Sequence, residues 1–144
     1  MSATLALCTP SNFATSFSIF AAQFAQSKSS KIIQNSISKF ELEYGIACGE
    51  ENPAWNCQWD YPNIWAPIQY VVYKGLINYG YFEDAKRVAS KYVALIEKNF
   101  AQTGNLWEKY NGHTAENVSA EYDAPKMLGW TAGVYIYFCN ELGL

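Results

Sequence analysis

The stretch from Ile64 to Phe100 reads IWAPIQYVVYKGLINYGYFEDAKRVASKYVALIEKNF, and it decides the fold class. Trp65, Ile68, Val72, Leu76 and Tyr79 recur at steps of three and four, the spacing that gathers side chains on one face of an α-helix. Gly80 follows, and a glycine just past the last periodic residue is a helix stop. Glu83 and Asp84 then bring negative charge to the point where a second helix begins. Val88, Ala89, Tyr92, Leu95, Ile96 and Phe100 carry its apolar face onward. Two helices joined by so short a turn form an antiparallel αα-hairpin.

Working outward, Pro10-Ser11-Asn12 opens an earlier helix, with Ser11 or Asn12 as N-cap and Phe13, Phe17, Phe20 and Phe24 on one face. A signal peptide in this region would lack its basic start, because Met1 to Ser27 holds no Lys or Arg. A helix of the mature chain is the expectation, and a cytoplasmic location with it. Ser30 to Phe40 reads as another helix with Ile33, Ile37 and Phe40 on one side. Tyr44 to Asn56, with Gly45, Gly49 and Pro53, reads as loop. Gln102 to Lys126 is a long polar loop, and Met127 to Leu142 a final helix with Trp130, Val134 and Phe138 inward. No run reads as a strand. The fold class is all-α, with about five helices in one domain spanning 1–144.

Composition excludes several functions. Half of the 144 residues are hydrophobic and 17% are aromatic, so the chain is globular. A net charge of −3 and the single arginine, Arg87, argue against a nucleic-acid partner. No apolar run approaches the roughly 20 residues that span a bilayer. Cys8, Cys48, Cys57 and Cys139 lack paired zinc-ligand spacing, and His113 is the only histidine, so neither metal nor cofactor is expected. Cys48 and Cys57 read as free thiols, with a disulfide between them as the alternative. Arg87, among Lys86 and Lys91, reads as part of a solvated face.

The segment Gln58-Trp59-Asp60-Tyr61-Pro62-Asn63-Ile64-Trp65-Ala66-Pro67 points to a function. Indole faces lie against the C–H faces of a pyranose, while Gln and Asp hydrogen-bond its hydroxyls. The prolines stiffen the backbone, so these groups are aimed in advance. A rigid aromatic turn that plugs the end of a helical core is the other reading. Asp60 could bind hydroxyls or cap the helix that follows.

This segment resembles the Gln-Trp-Asp-x-Pro-x-x-Trp-x-Pro pattern of the trehalases, inverting glycoside hydrolases built on an (α/α)6 toroid. Asn105-Leu106-Trp107-Glu108-Lys109-Tyr110-Asn111 resembles the family's Glu-Lys-Tyr-Asp/Asn segment. Glu121-Tyr122, followed by Gly129-Trp130-Thr131-Ala132-Gly133-Val134, resembles its Glu-Tyr…Gly-Trp-Thr-Asn-Gly-Val ending. The matches fall in family order from Gln58 to the C-terminus. The resemblance implies a partial toroid of αα-hairpins, corresponding to the C-terminal part of a trehalase catalytic domain. It implies Glu108 as general base, with Glu121, Gln58, Trp59, Asp60, Trp65 and Trp107 around a glucoside such as trehalose. Ala115-Glu116-Asn117-Val118-Ser119-Ala120 departs from the family's glycine-rich run before Glu121.

Inverting hydrolysis needs two carboxyl groups about 6.5–9.5 Å apart, one acting as acid and the other as base on water. The family's acid is an aspartate in an upstream segment without a counterpart among Asp60, Asp84 and Asp123. The expectation is that the chain alone has little or no activity, and that helix faces left uncovered promote self-association. A non-catalytic sugar-binding module and a helical module that binds a partner protein are the competing readings.

Overall fold

The computed structural model describes residues 30–52, 57–117, 121–126 and 129–144; the helix expected from Ser11 to Phe24 lies outside them. In chain order the elements are α1 (Ser30–Phe40), β1 (Asn63–Trp65), α2 (Ala66–Asn78), α3 (Phe82–Thr103), β2 (Lys109–Asn111) and α4 (Trp130–Leu142). The two strands form one antiparallel pair, with Asn63 opposite Asn111, Ile64 opposite Tyr110 and Trp65 opposite Lys109. This ribbon departs from the strand-free expectation. Three residues are too few to display the alternation by which a strand is recognised.

Pro67 falls in the first turn of α2, where its missing N–H has no intrahelical partner to lose. The helix stops at Tyr79, and Gly80 at φ 81° turns the chain directly into α3. Gly104, at φ 65°, ends α3 in the left-handed conformation, and its N–H reaches back to the Phe100 carbonyl at 2.8 Å. The hairpin thus spans the stretch that the periodicity marks out. α4 packs on both of its helices. Phe138 is the contact point, with ring centroids 5.0 Å from Tyr73 and 5.8 Å from Tyr92. Around it, Leu76, Val88, Ala89, Tyr92 and Leu95 are fully buried.

Gln69, on α2, is also fully buried. Its Oε1 accepts from the Ile46 N–H and its Nε2 donates to the Ile46 carbonyl, both at 2.8 Å. The side chain acts as one rung of a strand, pinning the 41–47 loop to the helix. That loop continues to the ribbon, because Tyr44 N–H donates to the Gly112 carbonyl and Cys48 N–H to the Asn63 carbonyl. Gly112 is the point of closest approach. A Cβ there would lie 2.5 Å from Leu42 Cδ1 and 3.1 Å from the Pro62 carbonyl oxygen.

Arg87 is not simply solvated. It donates to both oxygens of Glu41 at 2.8 and 3.0 Å and pairs with Asp84 at 2.6 Å, while Lys91 lies 2.9 Å from Glu41. Burial raises the Glu41 pKa, but the hydrogen bonds and charges of Arg87 and Lys91 more than offset this and hold it below the usual value. Cys57 is disulfide-bonded, whereas Cys48 and Cys139 are free thiols. No bridge therefore joins Cys48 to Cys57, and Cys57 is not the free thiol expected of it. Desolvation pushes the Cys48 thiol up.

Candidate active site

The ribbon brings the Trp-rich bend and the acidic loop together, since Trp65 sits directly opposite Lys109 and one residue beyond it lies Glu108. The bend is built by its own polar groups. Cys57 N–H donates to Asp60 Oδ2 at 2.7 Å, and Asp60 N–H donates back to the Cys57 carbonyl at 2.9 Å. Asn63 Nδ2 closes the turn on the Asp60 and Cys57 carbonyls. Asp60 thus does not cap α2, whose N-cap residue is Trp65 with no side-chain bond. One carboxylate oxygen is committed to the turn.

The two indoles are stacked. Trp59 and Trp65 have centroids 3.7 Å apart at 15°, and Trp130 of α4 meets Trp65 edge-on at 5.7 Å. Trp65 is only 2% exposed, and its Nε1 donates to the Gln58 carbonyl at 2.9 Å. It therefore has no free face for a ligand and serves as backing for the half-buried Trp59. Trp107 is anchored from α3, its Nε1 donating to Thr103 Oγ1 at 3.1 Å, and its carbonyl accepts from Thr131 Oγ1 at 2.8 Å. Its N–H donates to the Tyr110 hydroxyl at 2.9 Å. Burial pushes that phenol up to about 12, against the opposing effect of this bond.

Glu108, Tyr122, Gln58 and Glu121 form a connected polar chain. The Tyr122 hydroxyl donates to Glu108 Oε2. Gln58 Oε1 lies 2.7 Å from the same hydroxyl. Gln58 N–H donates to Glu121 Oε2 at 2.6 Å, so Glu121, though exposed, is tied to the bend across 63 positions. Burial raises the Tyr122 pKa first, and the bond to Glu108 and the charges of Glu108 and Glu121 raise it further. Loss of the phenol proton would set a third negative charge beside two carboxylates.

Lys109 is the buried cation of this cluster, at 1% exposure. Its Nζ lies 3.5 Å from Glu108 Oε2, 3.2 Å from the Tyr122 ring centre and 5.5 Å from the Trp65 ring centre. Both aromatic faces are therefore within cation–π range. Burial lowers its pKa, while Glu108 and Glu121 oppose that shift. Neither Lys109 nor Tyr122 received a role from the sequence. The readable signal was adjacency, since each directly follows a candidate carboxylate in a segment dense in aromatics. His113, at the far end of the ribbon, is exposed and bonded to the Tyr61 hydroxyl at 2.6 Å. Among the described residues no group of three or more His, Cys, Asp or Glu is arranged to hold a metal ion.

A family model described as trehalase matches residues 5–143. The chain belongs to the trehalase family. A cytosolic neutral trehalase of Beauveria bassiana is 31% identical over 150 residues, covering 90% of this chain and 20% of that protein. A periplasmic trehalase of Xanthomonas oryzae pv. oryzae is 38% identical over 85 residues, covering 58% of this chain and 15% of its own length. Neutral trehalase Nth1 from Saccharomyces cerevisiae superposes with a TM-score of 0.61 at 27% identity, over 84% of this chain and 22% of that one. This trehalase-family chain thus spans about a fifth of the length of the first curated relatives it matches. Its helical hairpin architecture is the one shared with the yeast enzyme.

Proposed function

We propose that this trehalase-family chain supplies the general-base side of an inverting site for trehalose or a related glucoside, as a C-terminal portion of such a catalytic domain. Glu108 is the base. Trp59, backed by Trp65, gives the apolar wall, and Gln58, Asp60, Glu121 and Trp107 surround the sugar. The observation that carries this reading is the polar chain from Glu121 through Gln58 and Tyr122 to Glu108, set beside the stacked indoles. A base without its acid partner lacks an assistance worth about 10²–10⁴-fold, so the chain alone is expected to release little glucose.

The test is glucose release from trehalose by the purified chain, alone and supplemented with the N-terminal remainder of a trehalase. Activity in the supplemented reaction should fall about 10²–10⁴-fold in Glu108→Gln, while trehalose still changes the tryptophan fluorescence. A supplemented reaction unaffected by Glu108→Gln removes the base assignment. Binding that survives with no activity in either reaction favours the sugar-binding module instead.

Self-association through the apolar groove between α3 and α4 belongs to the same proposal. Phe100 and Ile136 on its walls are 50% and 58% exposed. Sedimentation at several concentrations tests it. The cytoplasmic reading rests on relatives named cytosolic neutral trehalases. The disulfide-bonded Cys57 favours an oxidising compartment instead. A thiol count on denatured protein from its native source decides between them.

A further inference from the structure

A phenol has one proton, and the Tyr122 hydroxyl faces two acceptor positions. One is the carboxylate of Glu108 and the other the Gln58 amide, and a charged acceptor binds a hydroxyl proton more strongly than an amide does. The proton therefore goes to Glu108 Oε2; Gln58 Oε1 lies 2.7 Å from the same hydroxyl, and with the proton so placed the amide is assigned the flipped orientation that turns its NH₂ toward the phenol oxygen. Gln58 is fixed at both of its main-chain polar atoms, its N–H by Glu121 and its carbonyl by the Trp65 indole. Lys109, buried against the Tyr122 ring at 3.2 Å, holds the other side. The hydroxyl is consequently a fixed point.

Both contacts that described residues make to the Glu108 carboxylate, from Tyr122 and from Lys109, fall on Oε2. Oε1 accepts nothing from them, and the side chain keeps 15% exposure. We propose that Tyr122 is a positioning residue for Glu108, fixing Oε2 so that Oε1 is the oxygen presented to the attacking water. This rests on the reading of Glu108 as base. It adds a residue, and an assignment of the two carboxylate oxygens. Tyr122 touches neither sugar nor water in this role; it acts through Glu108.

The test uses the whole chain, with Tyr122→Phe and Glu108→Gln variants, and NMR of selectively labelled glutamate and tyrosine. The Glu108 signals are assigned by their loss in Glu108→Gln. Their three-bond couplings should report a single side-chain rotamer in the wild type and averaged rotamers in Tyr122→Phe. The phenol carbon of Tyr122, assigned by its loss in Tyr122→Phe, should lie apart from the free phenols and move toward them in Glu108→Gln. Trehalose binding to the wild-type chain is followed in parallel by tryptophan fluorescence. A single Glu108 rotamer in Tyr122→Phe, or an unmoved phenol carbon, overturns the proposal. If Tyr122→Phe does not fold, the phenol carbon in Glu108→Gln decides by itself. A wild-type chain without any sugar response sinks the reading of the site, while the rotamer data still decide whether Tyr122 fixes Glu108.

Discussion

Replacing Gln69 by leucine tests whether one buried amide holds the loop beneath the ribbon. Leucine has nearly the same volume, so the change removes polarity and leaves little cavity. It strands two groups of Ile46, a residue only 1% exposed, whose N–H and carbonyl each bond Gln69 at 2.8 Å. A buried unsatisfied group costs about 1–3 kcal/mol, so the pair costs about 2–6 kcal/mol. The apolar side chain returns about 1–2 kcal/mol through its own burial. The net loss is about 2–3 kcal/mol at mid-range, equivalent to roughly 4–12 °C in melting temperature for a domain of this size. Urea unfolding followed by tryptophan fluorescence should show the midpoint falling with an unchanged slope. Hydrogen exchange at the Ile46 amide should accelerate more than at the centre of α3. A loss below about 0.5 kcal/mol, or an Ile46 amide as protected as before, would refute the reasoning.

Three further outcomes follow from the geometry. Gly112→Ala drives a methyl toward Leu42 and the Pro62 carbonyl, and should cost about 1–3 kcal/mol in the same unfolding experiment. Glu41 is held below the usual carboxyl range, so its contribution to stability is complete above about pH 4.3 and is lost as pH falls through its folded value. Glu41→Gln should therefore flatten the acid limb of a stability–pH profile while lowering stability at neutral pH. Trp59→Ala removes the outer half of the indole stack, and trehalose binding by calorimetry should weaken by about 1–1.5 kcal/mol, roughly tenfold.

The hairpin was legible because its apolar positions repeat over several turns. Of the residues that mark it, Trp65 to Leu76 and Val88 to Ile96 are buried, whereas Tyr79 and Phe100 at the helix ends are 46% and 50% exposed. The ribbon was not, since three-residue strands carry no period, and Trp65 had already been counted as the first residue of a helical face. That double membership hid its burial. A residue that both pairs across the sheet and opens α2 is surrounded, so its indole became a support rather than a wall. From sequence Asp60 reads as cap or as ligand, yet its donor lies three positions earlier, in a turn closed by the Cys57 N–H. The links among Glu108, Tyr122, Gln58 and Glu121 join positions 14 to 64 apart, a separation at which local pattern carries no information.

The three-rung pairing of Asn63–Trp65 with Lys109–Asn111 sets a length rule for anyone splicing or grafting this region. Slipping Lys109–Asn111 by one residue against Asn63–Trp65 would invert the pleat, turning the ammonium outward to water and a different side chain into its place. Residues inserted after Glu116, in contrast, leave those rungs in phase, since the ribbon's last bonds run from Asn111 N–H to the Glu116 carbonyl and from Gly112 N–H to the Pro62 carbonyl. Sequence drift in the downstream loop is thus tolerable in length, provided it still returns a tyrosine to the acid.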